Sequence, residues 1–186
     1  TAGDSLLSAR QLARPDSRAI LIVGAGTVAR SMAGAYRSAF ADATITFWNR
    51  SAAGAEAAAA ATGGVATTDL EGAARQADII CTATMSHQPI IAGDWLRPGT
   101  HLDLIGAYRP DMREVDDTTL TRARIFVDSR ATTVHHIGEL KDPIARGVIS
   151  ESDIVADFYD LPKGSYDRRT AEEITLAKNG GGAHLD

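Results

Sequence analysis

Ala19-Ile20-Leu21-Ile22-Val23-Gly24-Ala25-Gly26-Thr27-Val28-Ala29 is the stretch that decides the fold. Its first five residues form an unbroken apolar run, the pattern of a strand covered on both faces. A G-x-G-x-x-A turn follows, and residues 27–40 then read as a helix. A glycine-rich turn placed directly between strand and helix is the context in which this motif binds a dinucleotide. Gly24 permits the tight turn. Gly26 has no side chain to obstruct a pyrophosphate, and Ala29 lets the helix approach the strand. With Ala25, Thr27 and Val28, the helix N-terminus offers unpaired N–H groups and a positive dipole end to the phosphates.

Outward from this turn, strand and helix patterns alternate. Residues 6–13 have helical spacing and are stopped by Pro15-Asp16-Ser17. Thr44-Ile45-Thr46-Phe47-Trp48 is β-branched and aromatic, as in a strand. Residues 51–61 read as the next helix, closed by Gly63-Gly64. The near-continuous alanine over 52–61 suits close packing on a sheet. A short strand over 65–67 precedes Asp69, which is suited to cap a helix at 70–75. Further strands are expected at 79–83, at 101–105 after the Pro98-Gly99 turn, at 124–127 and at 173–176. A helix is expected around 154–161, and Asp116-Asp117-Thr118 reads as a helix start. The order implies a doubly wound, mostly parallel α/β sheet of Rossmann type, with helices on both faces.

The chain has 186 residues, enough for one domain with its own core. The net charge of -5 argues against a nucleic-acid surface. No apolar run approaches the ~20 residues of a bilayer span, so no membrane role is expected. Cys81 is the single cysteine, which excludes an internal disulfide and a cysteine-based zinc site. A reducing, cytoplasmic compartment is expected.

In a parallel sheet the ligand lies beyond the carboxyl ends of the strands. The second strand ends in Trp48-Asn49-Arg50-Ser51, where an NAD-specific protein usually carries an acidic residue for the ribose. Asn49, Arg50 and Ser51 suit a 2′-phosphate, since guanidinium pairs with phosphate through two parallel hydrogen bonds. NADP(H) is therefore favoured, with NAD(H) possible. The fourth strand delivers Thr82-Ala83-Thr84-Met85-Ser86 to the same edge, and the fifth delivers Ile105-Gly106-Ala107-Tyr108. These should border the nicotinamide half of the cofactor, with Gly106 and Ala107 small enough to let the ring approach.

Taken together these segments resemble the ornithine cyclodeaminase/mu-crystallin family of NAD(P)-dependent enzymes. The resemblance rests on Gly24-Ala25-Gly26, Trp48-Asn49-Arg50-Ser51, and Ala77-Asp78-Ile79-Ile80 leading to Thr82-Ala83-Thr84. It continues through Trp95-Leu96-Arg97-Pro98-Gly99-Thr100-His101, the run from Gly106 to Glu114, Phe126-Val127-Asp128-Ser129 and Glu173-Ile174-Thr175-Leu176-Ala177-Lys178. It implies hydride transfer between nicotinamide and the α-carbon of a small amino or imino acid. It also implies that Thr1 and Met85 stand beside the cofactor, and that the full-length protein is a homodimer. Residues 1–186 then read as the NAD(P)-binding domain of a two-domain enzyme. A preceding segment would supply the Lys and Arg groups that bind the substrate carboxylate.

One departure refines the reading. Cyclodeaminases carry an Asp in a Gly-Gly-Asp sequence where this chain has Gly106-Ala107-Tyr108. Tyr108 offers no carboxylate, but its phenol can donate a hydrogen bond or a proton. Imine reduction, to an amino acid from a ketimine or pyrroline-2-carboxylate type of substrate, is the favoured activity. An ornithine cyclodeaminase, an alanine dehydrogenase-like enzyme and a non-catalytic NADP(H)-binding protein are the alternatives.

Other chemistry-bearing residues read as structural. His135 and His136 are adjacent and point in different directions, so a shared ion is not expected. His87 belongs to a loop and His101 to a strand. Cys81 should be an inert buried thiol. Arg168-Arg169 reads as a solvated pair, and Ser5 and Ser86 have no base at a telling spacing. Gly180-Gly181-Gly182 suits either a flexible exit or a close approach of backbone to a ligand.

Overall fold

The run at 19–23 forms β1 (Ala19–Val23), and both of its faces are buried, as an unbroken apolar sequence requires. Ile20 and Ile22 enter one core, while Leu21 and Val23 enter the other. The computed structural model describes residues 1–180. Its elements in chain order are α1 (Ala2–Leu12), β1, α2 (Thr27–Ala39), β2 (Thr44–Trp48), α3 (Ala52–Thr62) and β3 (Val65–Thr67). There follow α4 (Leu70–Gln76), β4 (Ile79–Thr82), β5 (His101–Leu104), α5 (Asp117–Arg122) and β6 (Ala123–Val127). The last are α6 (Arg130–Thr133), α7 (Gly138–Ala145), β7 (Ile154–Ala156) and β8 (Ile174–Lys178).

The strands make one eight-stranded sheet in the order β3-β2-β1-β4-β5-β8-β6-β7, with every pair parallel. One face is covered by α1, α2 and α3, whose Ala9, Met32, Tyr36, Ala55 and Ala58 meet Ile20, Ile22 and Phe47. The alanine-rich α3 lies against this face through Ala55, Ala58 and Ala59. The other face is covered by α4, α5 and α7 through Ala74, Leu120 and Leu140. Among the described residues no helix is long and apolar enough to cross a membrane.

Local capping follows the sequence. Asp69 accepts from the Gly72 N–H at 2.9 Å and starts α4. Asp116 accepts from Thr119 N–H at 2.8 Å and starts α5. Two expectations fail. Residues 154–161 are not a helix: Ile154–Ala156 is β7, and a 3₁₀ turn runs over Phe158–Lys163. Ile154 and Ala156 alternate into the core beside β6, and Asp157 and Pro162 suit the turn better than a continuing helix. Helix α7 was not foreseen, because it carries Gly138 and Pro143. Its place is set by tertiary packing: a Cβ at Gly138 would stand 2.5 Å from the Pro110 carbonyl oxygen, and Leu140 is fully buried.

The second failure is Arg168. It is half-buried, and its guanidinium donates to the carbonyls of Leu12, Thr170, Ala171, Glu173 and Gly99 and to the Thr175 hydroxyl. The fork ties the end of α1 to the entry of β8. Arg168→Ala should therefore lower the unfolding free energy by about 1–3 kcal/mol in urea denaturation, because several partly buried carbonyls lose a charged donor. Arg168→Lys should recover little, since an ammonium cannot span the same acceptors. A variant as stable as the parent would show that these carbonyls are readily rehydrated.

Candidate cofactor site

The parallel register sets the strand ends in one row. Val23 pairs with Trp48 on one side and Thr82 on the other, Thr82 pairs with Leu104, and Lys178 pairs with both Leu104 and Val127. The segments that leave the sheet, beginning at Gly24, Asn49, Ala83 and Ile105, therefore emerge side by side. From β1 the chain steps outward through β2 to β3, then crosses back to β4 on the other side. The crevice of a doubly wound sheet opens at this reversal.

The two glycines of the turn differ in their physical reason. Gly24 has φ +121°, and a Cβ there would stand 2.5 Å from the Ala83 carbonyl oxygen. The fold itself demands that glycine. Gly26 has φ -73°, is exposed, and a Cβ there would meet nothing within 4 Å. Among the described residues nothing requires it to be small. It is the residue before α2, no side chain caps that helix, and Ala29 behind it is fully buried. An open N-terminus with room beside it fits a pyrophosphate.

Next to this helix end lies a cavity of about 340 Å³. Thr1, Val28, Thr84, Met85, Ile105, Gly106 and Tyr108 line it, together with Ala83 and Gly180. Of the residues expected near the nicotinamide, Thr82, Ser86 and Ala107 are not among the cavity-lining residues; Thr82 departs furthest. It is fully buried in the sheet and does not line the cavity. Its side chain is that of a β-branched core residue, and its carbonyl accepts from the N–H groups of Ile105 and Gly106. The smallness of Gly106 and Ala107 also has a different cause. A Cβ at Gly106 would overlap the Thr84 backbone, and Ala107 is buried with Met112 and Ile137. Tyr108 is 53% exposed at the cavity rim. Of Gly180-Gly181-Gly182, Gly180 lies at this cavity and the other two fall outside the described residues.

At the end of β2, Asn49 donates from Nδ2 to the Ser51 carbonyl at 3.1 Å, which holds the turn. Arg50 is exposed and its guanidinium makes no hydrogen bond or ion pair among the described residues. Ser51 precedes α3 without capping it through its hydroxyl. Beside the crevice, then, stand a guanidinium and a hydroxyl not engaged by the described residues.

Behind the cavity is a cluster of buried charge that the sequence did not announce. Glu114 and Glu139 are fully buried, as is Lys178 in β8. Glu114 accepts from Thr84, Gly106 and Ala107. Glu139 accepts from the backbone N–H groups of Glu114 at 2.7 Å and Val115 at 3.1 Å. Lys178 donates to the carbonyls of Leu104 and Asn179. Burial lowers its pKa, against the field of Glu114, Glu139, Asp128 and Asp103. Burial, and then the charge of Glu114, push Glu139 up to about 7. Burial likewise raises Asp103 to about 6, although the Tyr36 hydroxyl donates to it at 2.6 Å. Glu114 and Lys178 lay in stretches already recognisable. Glu139 had no sequence signal, since a lone Glu early in a helix looks like a surface residue.

The remaining candidates stay structural. His87 is exposed and contacts Asp111, and His135 faces Glu151 at 3.4 Å in the open. His101 is buried, bonds the Thr175 hydroxyl at 2.9 Å, and is pushed down to about 3 by burial and the nearby Arg168. Cys81 is buried and its thiol is raised by burial. Among the described residues no group of three or more His, Cys, Asp or Glu could hold a metal ion.

Known proteins resemble this chain in sequence and fold. The model of the ornithine cyclodeaminase/mu-crystallin family matches residues 1–186. A Delta(1)-pyrroline-2-carboxylate reductase of Paracoccus denitrificans is 51% identical over 193 residues, covering 100% of this chain and 61% of that protein. The ketimine reductase mu-crystallin of Mus musculus is 32% identical over 188 residues, covering 100% of this chain and 58% of that protein. The structure of Thermococcus litoralis Delta(1)-pyrroline-2-carboxylate reductase in complex with NADH and L-proline matches with a TM-score of 0.89 at 27% identity. That match covers 96% of this chain and 57% of the other. The chain thus spans about three fifths of the length of these relatives.

Glu139 generates a test of the charge cluster. Its folded pKa of about 7 exceeds its ordinary value of 4.5, so the folded state holds an extra proton between the two. The resulting stability is complete below the lower value and is lost as pH rises through the upper one. Urea unfolding from about pH 5 to about pH 8 should cost the unaltered protein on the order of 1–3 kcal/mol more than Glu139→Gln. Identical pH profiles would mean that Glu139 stays ionised throughout.

Proposed function

This chain belongs to the ornithine cyclodeaminase/mu-crystallin family, and on that premise we propose that it is the NADPH-binding domain of an imino acid reductase. The substrate is a small α-imino acid of ketimine or pyrroline-2-carboxylate type, reduced to the amino acid. The observation that carries the proposal is the cavity against the open end of α2, whose lining among the described residues contains one ionisable side chain, Tyr108, and no carboxylate. A carboxylate there would suit deamination of a diamino acid, whereas a phenol suits protonation of an imine. The names of the Paracoccus and mouse relatives agree with imine reduction.

The bound nicotinamide would supply the hydride. The chain supplies binding and orientation. The end of α2, opened by Gly26, offsets the pyrophosphate charge. Arg50 and Ser51 take the 2′-phosphate, while Asn49 holds their turn. Val28, Met85 and Ile105 give the nicotinamide an apolar bed that excludes water. Thr1 and Thr84 border it, and Tyr108 points its hydroxyl toward the imine nitrogen or the substrate carboxylate. Cationic groups elsewhere in the full-length protein pair with that carboxylate. A cytoplasmic homodimer completes the reading.

Two measurements test it. NADPH should bind more tightly than NADH in a fluorescence titration, and Arg50→Ala should weaken NADPH by about 1–3 kcal/mol while barely affecting NADH. Preference for NADH would overturn the assignment of Arg50, and the NADH-bound Thermococcus relative makes that comparison necessary. For Tyr108→Phe in the full-length enzyme, kcat and kcat/KM should fall together by about 10²-fold. Unchanged kinetics would leave Tyr108 as a packing residue. Conversion of ornithine to proline would overturn the imine-reductase reading.

A further inference from the structure

Glu114 occupies a position that neither capping nor packing accounts for. It lies in the loop after β5, is fully buried, and has each carboxylate oxygen doubly engaged. One oxygen accepts from the Thr84 N–H at 2.8 Å and the Thr84 hydroxyl at 2.7 Å. The other accepts from the N–H groups of Gly106 at 2.8 Å and Ala107 at 3.1 Å. A carboxylate has about four lone-pair sites, so all of them are occupied here by groups of the chain itself.

The donors belong to the two segments that line the cavity after β4 and β5. The sheet ladder between them ends at Thr82, whose carbonyl takes the N–H groups of Ile105 and Gly106. Beyond that point Glu114 replaces the ladder. The fit has no slack, because a Cβ at Gly106 would overlap both the Thr84 backbone and the Glu114 carboxylate. Glu114 is itself held from behind. Its N–H is bound by Glu139, and its carbonyl accepts from Ile90 and Ile91. Because the Thr84 hydroxyl is committed to Glu114, the Thr84 rotamer at the cavity is fixed as well.

We propose that Glu114 is a positioning residue: it clamps residues 84–85 to 105–108 and so sets the nicotinamide end of the cleft without touching the ligand. The inference rests on the dinucleotide reading of the site. It assigns no role to Glu114 at the adenosine end, where the chain leaves β2 and no contact with Glu114 exists among the described residues.

That asymmetry supplies the test. NADPH and 2′-phospho-ADP-ribose, which lacks the nicotinamide, are titrated against the full-length protein and two variants. Glu114→Gln keeps the volume but turns an NH₂ toward donors. Its Kd for NADPH should rise at least tenfold, while that for 2′-phospho-ADP-ribose should change less than twofold. Thr84→Val removes a single donor and should shift the same ratio in the same direction by about threefold. Where Glu114→Gln fails to fold, Glu114→Asp, which keeps the charge but shortens the reach to Thr84, Gly106 and Ala107 and touches no lining residue, decides by the same ratio. Equal weakening of both ligands would assign Glu114 to general stability and overturn the inference, as would folded variants with unchanged ratios. An unaltered protein that binds neither ligand would instead remove the dinucleotide reading on which the inference stands.

Discussion

Where parallel strands begin and end, backbone N–H groups lose their ladder partners, and in this chain buried carboxylates take them. At the entry to β1, Asp78 accepts from the N–H groups of Arg18 at 2.8 Å and Ala19 at 3.0 Å, and also binds Arg14 and Arg97. At the exits, Glu114 receives four donors and Glu139 two. Asp128 receives the N–H groups of Ser129 and Gly180. An unpaired amide in a dry loop costs as much as a lost hydrogen bond, and a charged acceptor is the strongest partner available. Each carboxylate thus stabilises several loop amides while spending only one side chain.

The concentration of negative charge has its own consequence. Asp103, Glu114, Asp128 and Glu139 are buried together with one cation, Lys178. Lys178 reaches this place because the last strand, β8, inserts between β5 and β6. The strand that closes the sheet therefore also carries the balancing charge. Burial raises the pKa of Glu139 and of Asp103, so the excess eases by protonation as pH falls through those raised values.

Three glycines at the crevice illustrate how similar residues answer to different constraints. Gly24 is required by a positive φ and by contact with Ala83, and Gly106 by contact with Thr84 and Glu114. Gly26 is required by neither. Space that the fold keeps open without using it is the mark of a binding surface, and it lies where the helix dipole favours an anion.

By itself the sequence determined what local chemistry controls. The apolar run 19–23, the Gly24-Ala25-Gly26 turn, and the caps at Asp69 and Asp116 follow from burial on two faces, backbone permissiveness and short-range hydrogen bonds. From these the parallel sheet, its helices on both faces and the strand ends that border the cavity were legible, while Thr1 came only through the family resemblance. What only the tertiary structure decided depends on partners far apart in the chain. Glu114 meets Thr84 across 30 residues, and Arg168 meets Leu12 across 156. β8 enters the sheet beside β5, which ended some seventy residues earlier. Residues 154–156 turned from helix to strand because an edge of β6 was waiting for them. Helix α7 formed despite Gly138 and Pro143 because its Leu140 had a core to enter. Periodicity records which face of a segment is dry, but not which distant amide lacks a partner or which strand edge is open, and those were the constraints that placed these residues.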